Sequence, residues 1–372
     1  MRILALNGGS SSFKCSLHDL SGTPLPIAPP KPVWEAKVTL NQDAKVADLL
    51  KPVLESAPGQ VEGVGHRIVH GGVYRQSTPL TPEVRTSIAR QAEVAPAHNR
   101  FELAAIETVD QVLGRGVKQI AVFDTGFHST LEPAAYVYPG PYAWLEQGIR
   151  RYGFHGINHR YAARRAAQLL GKEPDSLRLI VCHLGNGASL AAVRGGKSVD
   201  TTMGFTPLEG LMMGTRCGSI DPAILVFLIR HCGYTAEQLD HILNRESGLL
   251  GVSGLSGDMR EILDAMAKGN QRAHLAFDTY THRLCREVGG MLAVLGGADA
   301  LVFTGGVGEN SPLLRDAVAR QLAFLGLKLD RAKNDRPQMD EDVSTPDSSL
   351  KMLVVHAEEE WEIACECYRL LC

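Results

Sequence analysis

Near its amino end the chain reads ILALNGGSSSFKCSL: the apolar run Ile3, Leu4 and Leu6 stops at Asn7, Gly8, Gly9, Ser10, Ser11 and Ser12, and Phe13 opens a second run that carries Lys14. LIVCHLGNGASLAAV repeats the form, with Leu179 to Val181 leading into His183, Leu184, Gly185, Asn186, Gly187 and Ser189, and Leu190 to Val193 returning. A tight turn of this kind between two strands points backbone N–H groups and small hydroxyls at an anion, and two such turns can clamp a polyphosphate. Asn7, Ser10, Ser12 and Lys14 suit phosphate oxygens and a metal-bound water. A nucleotide is the ligand class that follows, with a plain Ser-rich hairpin as the alternative. NGGSSSFK lacks the second Gly before Lys of a Walker loop, and no GxGxxG follows a strand, so neither a P-loop nor a Rossmann site is supported.

Other residues could act on the ligand. Arg67, in GHRIVHGG, ends an apolar run before a Gly pair, where an outward guanidinium can fork onto a carboxylate or phosphate. His66 and His70 have HxxxH spacing, but Gly71 and Gly72 end any helix there, so they read as core histidines rather than zinc ligands. Asp124 follows the apolar run QIAVF, at the carboxyl end of a strand where α/β sites form; a turn-capping Asp is the competing reading. His155, between Phe154 and Gly156, is better placed to meet a ligand than to pack. Arg216 lies in the Gly-rich loop MMGTRCGSIDP, Asp258 and Arg260 at the start of a helix, and Glu358 to Glu360 at the start of the last helix. In VFTGGVGEN, Gly306, Val307, Gly308, Glu309 and Asn310 form a glycine turn that lets a flat ring approach the backbone, with Asn310 and Ser311 capping the helix beyond.

The elements that must position these residues are strands alternating with helices. Apolar strands are expected at Leu4–Leu6, Gly63–Gly65, Ile120–Phe123, Leu179–Val181, Leu301–Phe303 and Met352–Val355. Helical patterns cover Pro82–Gln91, Arg100–Val112, His159–Leu170, Pro222–His231, Gln271–Leu295, Pro312–Leu325 and Glu359–Leu371. The class is α/β. Asn7 aligns with Asn186, and VFDTGF from Val122 with VFTGGVGEN from Val302 at a nearly equal offset, which predicts a duplicated fold. Ser21–Pro32 and Asp330–Ser349 read as surface connections, and the Pro- and Gly-bearing stretch Thr130–Tyr152 as the domain break.

Bulk properties narrow the class further. The 372 residues, 44% hydrophobic and 21% charged, suit two globular domains. A net charge of −3 without a Lys/Arg run gives no footprint for nucleic acid or an anionic membrane. No signal peptide or 18-residue apolar run is seen, so a cytoplasmic location is expected. The eight cysteines, without CxxC, read as reduced packing residues.

Taken in order, LALNGGSSSFK, GHRIVHGG, VFDTGFH, RYGFHGINH, HLGNGASL, DTTMGFTPLEGLMMGTRCGSIDP, SGDMREI, FTGGVGENS and EEEW closely resemble the acetate kinase family over nearly the whole chain. The resemblance implies a duplicated ribonuclease H-like fold of the acetate and sugar kinase, actin and heat-shock ATPase superfamily, with two domains, an intervening cleft and a homodimer. Residues 1–130 with 361–372 would form the first domain and 131–360 the second. It implies reversible phosphoryl transfer between ATP and acetate, with ATP/ADP as co-substrate and Mg²⁺, or alternatively Mn²⁺, held by Asn7 and Glu359. Ser10, Ser12, Lys14, the run His183, Leu184, Gly185, Asn186 and Gly187, the run Asp258, Met259 and Arg260, and the run Gly306 to Asn310 would bind the nucleotide. Arg67 would grip the substrate carboxylate beside Val69, Ala97, Phe154 and Pro207, and Asp124, His155 and Arg216 would be catalytic. PAHNR stands where the family has PLHNP, and AEEE where it has TNEE or TDEE. Propionate or butyrate kinases share these motifs, and a non-kinase actin-like ATP-binding protein is the more distant alternative.

Overall fold

The computed structural model describes residues 1–9, 12–22, 24–39, 45–91 and 96–372, the side chains of 96–100 excepted. Ser10 and the side chain of Ala97 therefore lie outside the described residues. The chain forms two compact units, one made of Met1–Ser129, Phe154–Tyr161 and Ala357–Cys372, the other of Thr130–Gly153 and Ala162–His356.

The first unit is built on a six-stranded sheet: β1 (Arg2–Gly8), β2 (Ser12–Asp19), β3 (Trp34–Thr39), β4 (Gly63–Ile68), β5 (Thr78–Pro79) and β6 (Lys118–Phe123), in the order β3-β2-β1-β4-β6-β5. β1, β2 and β3 form an antiparallel meander, while β1, β4 and β6 run parallel. Side chains alternate between the faces of a strand. Leu4 and Leu6 of β1 pack with Leu50 and Leu54 of the helix Val46–Glu55 and Val109 of the helix Pro96–Val112. The other face takes the helix Glu359–Leu371. Gly63 and Gly65 make room for it, since a Cβ on Gly65 would fall 2.6 Å from Ile363 Cγ2. Trp361, Ile363, Ala364, Cys365 and Cys367 of that helix are buried, and each large apolar side chain contributes about 1.5–3 kcal/mol.

The second unit repeats the plan with β7 (Arg178–Leu184), β8 (Ala188–Arg194), β9 (Lys197–Thr201), β10 (Ala300–Thr304), β11 (Glu341–Asp342) and β12 (Lys351–Val354), in the order β11-β12-β10-β7-β8-β9. β7 to β9 are the meander, β7, β10 and β12 the parallel set, and β11 the short antiparallel edge that β5 is in the first unit. The helix Gln271–Leu295 lies along this unit, opened by the Asn270 side chain accepting the Ala273 N–H at 3.0 Å and closed by Gly296 at φ 70°.

The predicted strands and helices are all present, with shifted ends: the helix expected from Arg100 begins at Pro96, that from His159 at Gly156, and that from Pro312 stops at Gln321 before a single tight turn, Ala323–Leu325. Three expectations need correction. The duplication is real and Asn7 and Asn186 belong to equivalent hairpins, but VFDTGF ends β6 whereas VFTGGVGEN ends β10, whose counterpart is β4. Parallel strands that run into glycines have similar sequences wherever they sit in a sheet. GGVGEN is also no open turn but a short helix, Gly305–Asn310, and neither its start nor that of Pro312–Gln321 carries a side-chain cap. Finally, Arg67 does not point outward: only 11% of its side chain is exposed.

Candidate active site

Parity along the sheet assembles the first cluster. Asn7 shares a face with Ile3 and Ala5, Arg67 with Gly63 and Gly65, and Asp124 with Val122. All three stand at the carboxyl ends of neighbouring parallel strands, on the face covered by the helix Glu359–Leu371, whose first residues close the group. Arg67 donates from Nε at 3.1 Å and Nη2 at 2.7 Å to Asp124 Oδ2, and from Nη1 at 2.9 Å to Asn7 Oδ1, with Glu359 Oε2 3.5 Å from Nη1. Asn7 Nδ2 donates to Glu359 Oε2 at 2.7 Å and Glu360 Oε1 at 2.9 Å. Lys14, half exposed on β2, sets its Nζ 3.6 Å from Glu360 Oε1. Ser12, on the same strand, is partly buried.

The electrostatics of this cluster lean negative. Asp124, Glu359 and Glu360 face two cations, Arg67 and Lys14, and Asp124 Oδ1 is buried with no hydrogen-bond partner among the described residues. Burial pushes the Asp124 carboxyl up from its ordinary value despite the pull of Arg67. Burial also works against charge on Arg67, but Asp124 and Glu359 outweigh it and keep the guanidinium charged. A hard cation fits that imbalance: an orphaned carboxylate oxygen, an amide and a second carboxylate are the oxygen ligands Mg²⁺ takes beside water and phosphate. Among the described residues no set of three or more His, Cys, Asp or Glu forms a metal cage by itself, so water and phosphate would have to complete the shell.

His155 adopts φ 58°, a left-handed conformation uncommon outside glycine, and Gly156 N donates to Asp124 O at 2.9 Å. A Cβ on Gly156 would lie 2.1 Å from that oxygen, so only glycine lets this segment close on Asp124. Phe154 is buried, meeting the ring of His70 edge-on, and Val69, next to His70, is buried as well. His66 is the core histidine expected, with Nε2 2.8 Å from Gln119 Oε1.

The second unit carries the glycine-rich elements. Gly185 N donates to Gly187 O at 2.9 Å in the β7–β8 turn, and Asn186 O accepts from Gly214 N at 3.0 Å, which ties the turn to the loop bearing Arg216. Gly214 has no room for a side chain, because a Cβ would sit 2.3 Å from Asn186 Oδ1. Arg216 Nη1 donates to Pro207 O at 2.8 Å. Asp258 caps the helix Met259–Ala267, accepting the Arg260 N–H at 2.9 Å, while the exposed Arg260 side chain folds back onto it. Behind β10, Gly305 N donates to Glu309 Oε1 at 2.8 Å, and Asn310 Nδ2 to Gly306 O at 2.9 Å.

Two supports escaped the sequence. Arg315, fully buried, donates from Nη1 to Gly308 O at 2.7 Å and Glu309 O at 2.8 Å, and from Nε and Nη2 to Asn334, so it clamps the Gly305–Asn310 helix. Burial lowers it only to about 10, so it stays charged at neutral pH. Around Pro207, Arg151 binds the carbonyls of Thr201, Thr202 and Met203 and the Glu209 carboxylate, which also accepts from Tyr138. The partners of Arg151 lie far off in sequence, and an Arg in an amphipathic helix, as Arg315 is, reads as a surface residue.

Two copies of one mixed sheet, with charged groups at the strand ends of one and glycine turns at those of the other, define a duplicated ribonuclease H-like α/β protein. The chain matches the Acetokinase family over residues 36–365. It is 52% identical to the acetate kinase of Gloeobacter violaceus over 404 aligned positions, covering all of both chains. The crystal structure of Porphyromonas gingivalis acetate kinase is 36% identical with a TM-score of 0.88, again over the whole of both chains. That of a propionate kinase from Francisella tularensis is 33% identical with a TM-score of 0.87, over 99% of each. The chain belongs to the acetokinase family.

Proposed function

We propose that this protein is an acetate kinase that transfers the terminal phosphoryl group of ATP to acetate, reversibly, giving ADP and acetyl phosphate. The observation that carries the reading is the cluster of Asn7, Arg67 and Asp124 at three parallel strand ends, closed by Glu359, in a chain this similar to acetate kinases over its full length.

In the first unit Arg67 takes the substrate carboxylate and Val69, Phe154 and Ala97 border its methyl group. In the second unit Pro207 serves the acid's methyl group, and His183 to Gly187, Asp258 to Arg260 and Gly306 to Asn310 bind the nucleotide. Lys14, Ser10 and Ser12 serve its phosphates. Asn7 and Glu359 would hold Mg²⁺, which when bound would offset phosphate charge. A carboxylic acid with a reference pKa near 4 is ionised at neutral pH, so its oxygen attacks phosphorus without a general base while the bond to the ADP oxygen breaks. Positioning and charge neutralisation then dominate, with Arg67, His155 and Arg216 as the cationic or donor groups, and Asp124 would orient Mg²⁺ or its water when the metal is bound.

Two further features belong to this reading. The helix Ala223–Cys232 buries none of its residues and exposes Ile224, Val226, Phe227 and Ile229, an apolar face suited to a second copy in a homodimer. Free thiols, four of them buried, suit a reducing cytoplasm, and among the described residues no helix is long and apolar enough to cross a membrane. Ala97, a smaller residue than the family's Leu, favours activity on propionate beside acetate, because a buried methylene is worth about 0.8 kcal/mol.

The test is hydroxamate formation from acetate, propionate and butyrate with Mg²⁺ and ATP. Acetate should give acyl phosphate, with kcat/KM for propionate within about a hundredfold of it. Binding of ADP without acyl phosphate from any acid would overturn the kinase reading, and a larger gap would overturn the broadened preference.

A further inference from the structure

One buried acid stands just behind the substrate-side cluster and takes no part in it. Glu102, on the helix Pro96–Val112, is 3% exposed, and its Oε1 accepts the backbone N–H of Val69 at 3.0 Å. Val69 is the first residue after β4; Ile68 O still accepts from Asp124 N at 2.9 Å on the β6 side, but the pairing with β1 has ended at Leu6 and His66, so the Val69 N–H lies beyond the ladder it faces. A buried N–H without an acceptor is costly, and here a side chain from the helix under the opposite face supplies one. Arg67 lies two residues earlier, with its guanidinium already fixed by Asp124 and Asn7. Val69 is thus held by Glu102 on one side of the sheet and Arg67 by the acids on the other.

We propose that Glu102 is a positioning residue for the acid substrate: by fixing the Val69 amide it sets where the end of β4 presents the acyl-bordering side chain relative to Arg67. The inference rests on the reading of Arg67 and Val69 as substrate contacts.

The chemistry of the site explains why an acid can occupy it. Burial pushes the Glu102 carboxyl up to about 8, against the pull of the Val69 N–H and of Arg67, so at neutral pH it carries its proton. A neutral Glu102 accepts the amide without adding another carboxylate to those sharing Arg67. Its second oxygen, Oε2, has no partner among the described residues, which leaves the Val69 bond as the one this side chain makes. A glutamine has the same length and acceptor, whereas a methionine has the length and no comparable acceptor.

The experiment compares steady-state kinetics of the full-length wild type, Glu102→Gln and Glu102→Met at neutral pH with Mg²⁺, varying acetate and ATP separately. Glu102→Met should raise KM for acetate by about tenfold or more, with KM for ATP and kcat within about threefold of wild type, and Glu102→Gln should restore KM for acetate to within about threefold. A loss of substrate positioning alone gives that split. An unchanged KM for acetate in Glu102→Met, a parallel rise in KM for ATP, or a Glu102→Gln variant as impaired as Glu102→Met would each overturn the proposal. Should Glu102→Met fail to fold, Glu102→Gln decides it: a wild-type KM for acetate supports the acceptor role and a tenfold rise refutes it. If wild type forms no acyl phosphate from any acid, the kinase reading fails; if it does and only the Glu102 pattern is absent, the positioning role alone fails.

Discussion

The two units share one sheet plan and differ in what stands at the strand ends. In the first, Asn7, Arg67 and Asp124 stand at the carboxyl ends of β1, β4 and β6, an amide, a cation and an acid locked together by hydrogen bonds. In the second, β7 and β10 run into Gly185 to Gly187 and Gly305 to Asn310, where backbone groups are the main donors and acceptors. The topology fixes where ligands can be met, at the carboxyl ends of the parallel strands, and a few side chains decide which ligand each unit suits. Charged side chains suit a small anion and a metal, and bare backbone suits phosphates and a flat base. Substitutions of Arg67 or Asp124 should therefore leave nucleotide affinity largely alone, and substitutions around the glycine turns should leave acetate affinity largely alone.

The largest expected effect that would sharpen this contrast is Asp124→Asn. Removing the acid should lower kcat by more than about a hundredfold even at saturating Mg²⁺, while ADP affinity, measured calorimetrically, stays within about threefold. Full activity would deny Asp124 any role, whether it positions the metal or moves a proton. In the second unit, Arg315→Met leaves the carbonyls of Gly308 and Glu309 without their buried donor. It should weaken ADP binding about tenfold and cost roughly 1–3 kcal/mol of stability, with KM for acetate near wild type. A variant that lost acetate and ADP affinity equally would break the division of labour between the units.

The last effect is on stability rather than on activity and concerns pH. Glu102 titrates near 4.5 when unfolded and at about 8 when folded, so between these values the folded chain holds a proton that the unfolded chain has released. The folded state is then penalised progressively as pH rises from about 4.5 to about 8, and the penalty is constant above that. Glu102→Gln should remove this slope, seen as a smaller fall in denaturant midpoint across that range; an unchanged slope would place the proton elsewhere.

The residues of both clusters were legible because they interrupt apolar runs: Asn7 and Arg67 lie in the last residues of β1 and β4 and Asp124 directly follows β6, and the glycine motifs are dense. The hairpin repeat was legible for the same reason. The match between VFDTGF and VFTGGVGEN misled, since it reflects what any parallel strand needs before a turn, and strand order is set by long-range pairing that local sequence does not carry. Thr235 and Gln238 form a capping box that marks the helix Ala236–Arg245, which was not among the expected helices although its signal is local. Glu102 and Arg315 were invisible because each acts on backbone outside its own helix, and only burial reveals them.

The central claim, that Arg67 serves the acid substrate and the glycine turns serve the nucleotide, is tested most directly by measuring kcat/KM for acetate and Kd for ADP in Arg67→Met. The account expects the first to fall by about a thousandfold or more while the second changes by less than about threefold. A loss of ADP affinity matching the loss of acetate turnover, or no loss of turnover, would contradict it.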